Sequence, residues 1–257
     1  MYPYEQILAQ LLPDQAETIR SYHLDGGLTV WVRRIGKTVP QWRYRLLGLA
    51  ARLFRLGALQ PVPNLGGQAA LDIEAGRLEQ LAAQNIPVPT LLARQAGGIM
   101  YSHLGGTNLQ AELEHGGTPL QTWCDGWDAV AAAHRAGGYL SQAFCRNMIR
   151  MDDGRIGFID FEDDPAAWLS PADCRSRDFL CYLQSTAVWL RHRQCLDSAA
   201  PLLRARLSAL PPDTAAGICR ALGKIRLLRR LRARFWGNDT LRLAALAQLY
   251  ELAQDCL

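Results

Sequence analysis

The residues best suited to chemistry lie in one stretch, residues 143–165, which reads AFCRNMIRMDDGRIGFIDFEDDP. Asn147 precedes a short apolar segment, and after a turn a second apolar segment leads into four acids. These acids are Asp160, Glu162, Asp163 and Asp164. Mg²⁺ takes one or two oxygen ligands from protein and leaves its other positions to water and phosphate. The stretch therefore suggests the metal-holding floor of a phosphoryl-transfer site. The alternative is an ordinary loop, because Asn and Asp favour turns whatever the function.

A helix, a loop and a β-hairpin must position these residues. In the segment 119–138, apolar side chains recur at helical spacing and lead to His134, and two glycines end the helix. A loop follows, and the turn Asp152-Asp153-Gly154 then joins two short strands. We interpret His134 as a buried structural residue that braces the loop, because it stands at the end of an apolar stripe.

The first hundred residues have the pattern of a small antiparallel sheet with helices. Alternating apolar and β-branched residues predict the strands, and leucines at helical spacing predict the helices. The predicted elements are a helix at 3–12, a strand pair turning at Asp25-Gly26-Gly27, a basic helix at about 41–60, a helix at 68–85 that carries Glu74, and two strands between 90 and 104. Gly105 and Gly106 then break the chain before a mostly helical second half.

Composition limits the class of protein that this chain can represent. With 257 residues, 49% of them hydrophobic, it can bury one large core or the cores of two modest lobes. No run of eighteen uncharged apolar residues occurs, and acids stand where a signal peptide needs a basic start. The seven cysteines are scattered without metal-ligand spacing, which favours reduced thiols. We therefore expect a cytoplasmic protein that does not span a membrane.

The order of these elements, together with two landmarks, is similar to that of a known family. Twelve residues separate Asn147 from Asp160, which opens the segment DFE. Over residues 22–190 the chain resembles the protein-kinase-like superfamily, and most closely its small bacterial branch with the lipopolysaccharide core and Kdo kinases. The resemblance implies an α+β fold of two lobes. Residues 1–104 would form a reduced N-terminal lobe around an antiparallel sheet, and residues 105–257 a mainly helical C-terminal lobe.

The resemblance also implies roles for individual residues. Asn147 and Asp160 would hold Mg²⁺ for ATP, and Glu74 would pair with a basic residue of the sheet that contacts the phosphates. The residues placed against the adenine base, in the hinge between the lobes, are Tyr101, His103 and Leu104. Asp178 corresponds to an aspartate that braces the catalytic loop. Arg146, beside Asn147, is predicted to pair with one of the acids at 162–164.

The sequence departs from the family pattern at four points. Gln142 stands where the catalytic loop has an aspartate, and a glutamine can orient a nucleophile but cannot accept a proton at neutral pH. Arg33, or Arg34 beside it, replaces the strand lysine, and it could form only a structural ion pair with Glu74. No glycine-rich GxGxxG segment occurs in the N-terminal part. Glu162 occupies the third position of the DFG segment, where it could serve as a base or a second metal ligand.

Two functions are compatible with this pattern. The first is an atypical kinase that binds ATP and Mg²⁺ and transfers the γ-phosphoryl group to a hydroxyl of a sugar, a lipid-linked sugar or a protein. Its catalytic residues would be Gln142, Asn147, Asp160 and Glu162. The second is a pseudokinase, in which the same fold serves as a regulatory or partner-binding scaffold.

Two basic amphipathic segments bear on the partners. One is the predicted helix at 41–60, and the other is GKIRLLRRLRARFW at 223–236. Basic side chains interleaved with apolar ones suit a peripheral contact with an anionic membrane, here the inner membrane face. The alternative is a solvated helix face. A third hypothesis is an adaptor that uses these basic helices while its fold is incidental, and nucleic acid is not the expected partner.

Overall fold

The computed structural model describes residues 2–37, 62, 66–226 and 238–255. Over these residues the chain is an α+β protein with a four-stranded antiparallel sheet, a three-stranded ribbon and eight α-helices. The predicted α+β class is confirmed. The basic helix predicted at 41–60 and the part of the second basic segment beyond Arg226 lie outside the described residues.

The four-stranded sheet consists of the two strand pairs that the sequence predicts. Its strands are β1 (Ile19–His23), β2 (Thr29–Arg34), β3 (Leu91–Gln95) and β4 (Gly98–Ser102), in the order β1-β2-β4-β3. Gly26 and Gly27 turn the first pair with φ of 77° and 80°, and Gly97 turns the second with φ of 89°. Residues with a Cβ rarely adopt such angles, which is why glycine marks both turns. β2 and β4 form the centre of the sheet.

Two helices pack against the sheet, α1 (Tyr4–Leu11) and α2 (Gly67–Ala83). On α1, Leu8 joins a small apolar cluster with Val30 and Val32 of β2 and with residues of β3 and β4. Apolar residues of α2 belong instead to the large core that continues into the helical part of the chain. Successive side chains of a strand point to opposite faces, so the two helices use different faces of the sheet.

This alternation decides which arginine of β2 faces α2. Val30 and Val32 point towards α1, and Arg34 points the same way, where its guanidinium donates to the carbonyl of Gln15. Arg33 points to the other face. Of the two arginines considered from the sequence, Arg33 is therefore the one that can meet Glu74.

The three-stranded ribbon contains the predicted hairpin and one additional strand. Its strands are β5 (Thr107–Asn108), β6 (Met148–Arg150) and β7 (Ile156–Phe158), in the order β5-β6-β7. The hairpin of β6 and β7 turns at 152–154 as expected. β5 has two residues, too few for a sequence pattern. Gly106 precedes it with φ of 69°, and a Cβ there would collide with the carbonyl oxygen of Arg150.

The remaining elements form a helical part around one long central helix. They are α3 (Leu109–His115), α4 (Pro119–Arg135), α5 (Pro171–His192), α6 (Leu196–Ser208), α7 (Pro212–Ile225) and α8 (Asn238–Asp255). The central helix α5 contacts α4, α7 and α8. Phe179 on α5 stacks on Trp127 of α4 with 4.2 Å between ring centroids, and the Tyr182 hydroxyl donates to the carbonyl of Trp123 at 2.6 Å. No helix in the described part of the chain is both long and apolar enough to cross a membrane.

Candidate active site

Arg33 joins three segments that are far apart in the sequence. Its Nε lies 3.0 Å from Oε2 of Glu74 on α2, and a terminal amino group contacts Oε1 of Glu162 in the loop after β7. The Nε–H bond is not directed at the Glu74 oxygen, so that contact is an ion pair without a well-formed hydrogen bond. The Arg33 and Glu74 side chains are 12% and 3% exposed. The sheet, α2 and the acidic loop thus meet at one buried guanidinium.

Three acids, Glu74, Asp160 and Glu162, influence one another and this guanidinium electrostatically. Burial raises the pKa of Glu74 to about 7 although Arg33 lowers it, and the charges of Asp160 and Glu162 raise it further. Burial lowers the pKa of Arg33, but the charge of Glu74 and the contact with Glu162 outweigh burial and raise it. Among the described residues, Arg33 therefore contacts Glu74 and Glu162, and its charge also acts on Asp160.

We expect the stability of the protein to depend on pH through Glu74. Because the pKa of Glu74 is raised in the folded state, its contribution to stability is present below the unfolded value of 4.5 and is lost as pH rises through about 7. The stability of the wild type relative to Glu74→Gln should fall by about 2 kcal/mol between pH 5 and 8, as measured by urea unfolding. Glu79→Gln, at an exposed position of the same helix, is the control. A difference that does not change with pH would contradict the raised pKa.

The two ends of the ribbon hairpin bring Asn147 and Asp160 into contact. A 3₁₀ turn at Cys145–Asn147 leads into β6, and Asp160 follows β7 by two residues. Nδ2 of Asn147 donates to Oδ2 of Asp160 at 3.0 Å and to the carbonyl of Gln142 at 3.2 Å. These bonds use the amide nitrogen and leave the amide oxygen of Asn147 for another partner. The side chains that the sequence paired across twelve residues are therefore adjacent.

Asp160 has an unusual backbone and a perturbed carboxyl group. Its φ is 75°, a left-handed conformation that Asp tolerates better than most residues and that is concentrated at functional sites. Burial, and then the charge of Glu162, raise the pKa of Asp160 against the opposing effects of Arg33 and Asn147. Among the described residues, no three His, Cys, Asp or Glu side chains form a group that could hold a metal ion. One amide and one carboxylate are nevertheless as many ligands as Mg²⁺ ordinarily takes from protein.

Gln142 lies in the loop before the 3₁₀ turn, where its backbone is held from both sides. Its N–H donates to the carbonyl of Leu140 at 2.8 Å, and its carbonyl accepts from the N–H of Phe144 at 2.7 Å and from the Asn147 side chain. Its side-chain Nε2 donates to Oδ2 of Asp163 at 3.4 Å, a long hydrogen bond. The residue predicted to orient an acceptor is thus connected to both Asn147 and Asp163.

Asp178 on α5 braces this loop, as expected from the sequence. Its Oδ2 accepts from the backbone N–H of Leu140 at 2.7 Å and lies 2.9 Å from Nε2 of His134. Asp178 is completely buried, and the His134 side chain is 7% exposed. The imidazole also meets the Phe179 ring edge-on, with centroids 5.0 Å apart. His134 is therefore a structural residue, and it ties α4 and α5 to the loop.

A second brace was not predicted from the sequence. The guanidinium of Arg77 on α2 lies 3.8 Å from the ring centroid of Tyr139 and donates to the Tyr139 carbonyl. The Tyr139 hydroxyl in turn donates to Oδ1 of Asp164 at 2.6 Å. α2, the loop and the acidic segment are thereby joined a second time. Arg77 lies one helical turn from Glu74 on α2, and this spacing is the only sequence signal that points to it.

The residues predicted to contact adenine lie at the end of β4 and just after it, and they differ in burial and in hydrogen bonding. The hydroxyl of Tyr101 is buried, and burial, followed by the charge of Glu74, raises its pKa. His103 is exposed, its Nδ1 accepts from Nε1 of Trp31 at 3.0 Å, and its backbone N–H donates to Thr29 at 3.3 Å. The Leu104 backbone takes no part in the hydrogen bonds of the described residues. Among the described residues, Leu104 is the one of the three whose backbone N–H and carbonyl both lack a hydrogen-bond partner, so both are available to a base.

One prediction about a charged side chain, the ion pair of Arg146, changes with the structure. Arg146 is exposed and its guanidinium lies 4.5 Å from the ring centroid of Phe144, so the ion pair predicted with the acids at 162–164 is wrong within the described residues. Arg33, which comes from β2, takes that place at Glu162 instead. Glu162 is thus held by an arginine. The sequence could not indicate this contact, because the two residues are separated by about half of the chain.

A scan against protein-family models gives no match for this chain, and comparison with curated proteins finds none with significant similarity.

Proposed function

We propose that this chain is an atypical kinase-like protein that binds ATP with Mg²⁺ and transfers the γ-phosphoryl group to a hydroxyl of a sugar or a lipid-linked sugar. The observation that carries the proposal is the shared contact of Arg33 with Glu74 and with Glu162, two residues beyond Asp160. The charge of Arg33 also acts on Asp160, which accepts a hydrogen bond from Asn147. A phosphate-binding cation and a pair of oxygen ligands at one place are what phosphoryl transfer requires, since it depends mainly on position and charge.

The residues fit Mg²⁺ as the partner of the nucleotide. Asn147 and Asp160 would hold the ion through an amide oxygen and a carboxylate oxygen. When bound, Mg²⁺ neutralises charge on the phosphates. Arg33, oriented by Glu74, contacts a phosphate group, and Leu104 offers backbone groups to the base.

The transfer itself requires few groups from the protein. The acceptor oxygen forms a bond to the γ-phosphorus, the bond from that phosphorus to the bridging oxygen breaks, and ADP leaves with the electron pair. Gln142 orients the acceptor hydroxyl but cannot take its proton, which passes to an oxygen of the transferred group. General-base assistance is worth about a hundredfold to ten-thousandfold, so a slow enzyme is expected.

A scaffold without turnover is the second candidate, and one contact favours it. Glu162 occupies a terminal amino group of Arg33, so a nucleotide phosphate has to displace a carboxylate that is already bound. Together with Gln142 at the position of the base, this would suit a protein that senses a nucleotide or a partner and does not act on it.

The test is a thermal-shift titration of the wild-type protein with ATP, with and without Mg²⁺, followed by transfer assays with labelled ATP. Specific binding raises the melting temperature by mass action, and we expect a larger rise when Mg²⁺ is present. Label should then appear on free or lipid-linked sugar. Stabilisation by ATP with no labelled acceptor and no release of labelled phosphate would favour the scaffold. No stabilisation by ATP with Mg²⁺ would refute nucleotide binding.

Glu162→Gln distinguishes the two roles that remain for Glu162. If Glu162 mainly competes with phosphate for Arg33, we expect the variant to bind ATP with Mg²⁺ about three- to tenfold more tightly, by titration calorimetry, because a neutral amide holds Arg33 less strongly. If Glu162 acts as a base or metal ligand, turnover falls and affinity does not rise. Asp153→Asn, an exposed acid in the ribbon turn, is the control.

A further inference from the structure

Asp163 is a buried carboxylate with both oxygens directed at the loop that carries Gln142. Its Oδ1 accepts from the hydroxyl of Ser141 and its Oδ2 from Nε2 of Gln142. Asp163 is 4% exposed, and burial raises its pKa, against the bond from Ser141. Burying a carboxylate costs free energy unless hydrogen bonds compensate for the lost water, and the bonds from Ser141 and Gln142 do so here. The same two bonds connect Asp163 to the loop that carries Gln142.

An ionised carboxylate only accepts hydrogen bonds, whereas a glutamine side chain has a donor end and an acceptor end. With Nε2 directed at Asp163, the Gln142 carbonyl oxygen Oε1 is directed away from Asp163. The Gln142 backbone cannot shift to change this, because both its N–H and its carbonyl are engaged within the loop. The orientation of the amide therefore depends on Asp163.

We propose that Asp163 is a positioning residue that fixes the Gln142 amide, so that Oε1 accepts the hydrogen bond of the acceptor hydroxyl. This inference rests on the proposed transfer reaction. It explains how a glutamine can stand in for an aspartate in this loop: Oε1 supplies the acceptor atom that a carboxylate oxygen would supply, without taking the proton. Without Asp163, the amide can turn and present its NH₂ group, which cannot accept from a hydroxyl.

The orientation is tested first without any substrate, by ¹⁵N–¹H NMR of the Gln142 side-chain amide, which Gln142→Ala assigns by removing its signals. The bond from Nε2 to the carboxylate of Asp163 predicts that the NH₂ pair of the wild type is shifted from the position of a solvated amide. Asp163→Ala should move that pair to the position of a solvated amide. Asp163→Asn keeps one acceptor oxygen for Nε2 and should have a smaller effect. Ser141→Ala removes only the other bond of Asp163 and is the matched control.

The consequence is tested by hydrolysis of ATP with Mg²⁺, with water as the acceptor. We expect Asp163→Ala and Gln142→Ala each to lower kcat about tenfold with KM for ATP unchanged, and the double variant to be no slower than Gln142→Ala. Ser141→Ala and Asp163→Asn should keep most of kcat. If Asp163→Ala does not fold at the assay temperature, Asp163→Leu, which fills the space without an acceptor, replaces it.

Each outcome has one meaning. An unchanged Gln142 amide signal in Asp163→Ala, or multiplied kinetic losses in the double variant, would overturn the positioning role whatever the reaction. If the wild type and all variants bind ATP with Mg²⁺ but none of them turns it over, the positioning role is overturned as well. Oε1 would then have no acceptor hydroxyl to orient. If the wild type does not bind ATP with Mg²⁺, the proposed function fails, and the NMR result still decides the orientation of the amide.

Discussion

Replacing Asp160 with asparagine is expected to abolish the Mg²⁺-dependent part of the ATP-induced rise in melting temperature. At a ligand concentration of one hundred times Kd, binding adds about 2.7 kcal/mol to stability. For a chain of this size each kcal/mol corresponds to roughly 2–4 °C, so a rise of about 5–10 °C should disappear. Asparagine keeps the shape of the side chain and tolerates the left-handed backbone of this position, which alanine would strain. The loss would therefore report the missing carboxylate charge.

The protein without ligand should not lose stability in this variant. The carboxyl of Asp160 raises the pKa of Glu74, so removing its charge relieves repulsion in the cluster around Arg33. Asp153→Asn serves as the control, because Asp153 lies in the turn of the same hairpin, is exposed and pairs only with Arg155 among the described residues. An equal ATP response with Mg²⁺ in wild type and Asp160→Asn would refute Asp160 as a ligand of the ion.

Local chemistry explains which features could be predicted from the sequence. Glycines with positive φ mark the turn at Asp25-Gly26-Gly27, and the alternation of β2 follows from its residue types. Asn147 and Asp160 could be paired because a two-stranded hairpin necessarily returns its end to its start. These features depend on residues that are close in sequence or joined by one short hairpin.

Contacts between distant segments could not be predicted in the same way. Arg33 and Glu162 meet because the sheet and the acidic loop pack together, and no periodicity records that packing. The prediction for Arg146 was wrong because it paired the acids at 162–164 with the cation nearest to them in sequence. Glu162 instead contacts Arg33, which is distant in sequence. Asp163 could be recognised only as one of several acids, since its role depends on being buried against Ser141 and Gln142.

Removing the carboxylate of Asp178 is expected to cause the largest loss of stability of any substitution near the site. In Asp178→Ala, the Leu140 N–H and the ring of His134 would be left buried without their shared acceptor. Leaving a buried donor without its acceptor costs about 1–3 kcal/mol, and this substitution removes the acceptor of both groups. For this chain length the melting temperature should fall by roughly 10 °C, as measured by calorimetry without ligand. The loop that carries Gln142 would lose its anchor on α5 at the same time.

Asp178→Asn should lie between the wild type and the alanine variant, because its amide oxygen can replace Oδ2 and accept from both the Leu140 N–H and Nε2 of His134, while the other oxygen becomes a buried NH₂ group. Oδ1 of Asp178 has no hydrogen-bond partner within the described ranges, so the added NH₂ would meet none that is already in place. Asp173→Ala is the matched control on the same helix, since that acid is partly exposed in the first turn and contacts Ser170. If Asp178→Ala melted within 2 °C of the control, the brace between α5 and the loop would be dispensable. Gln142 would then have to be held by the 3₁₀ turn and Asp163 alone.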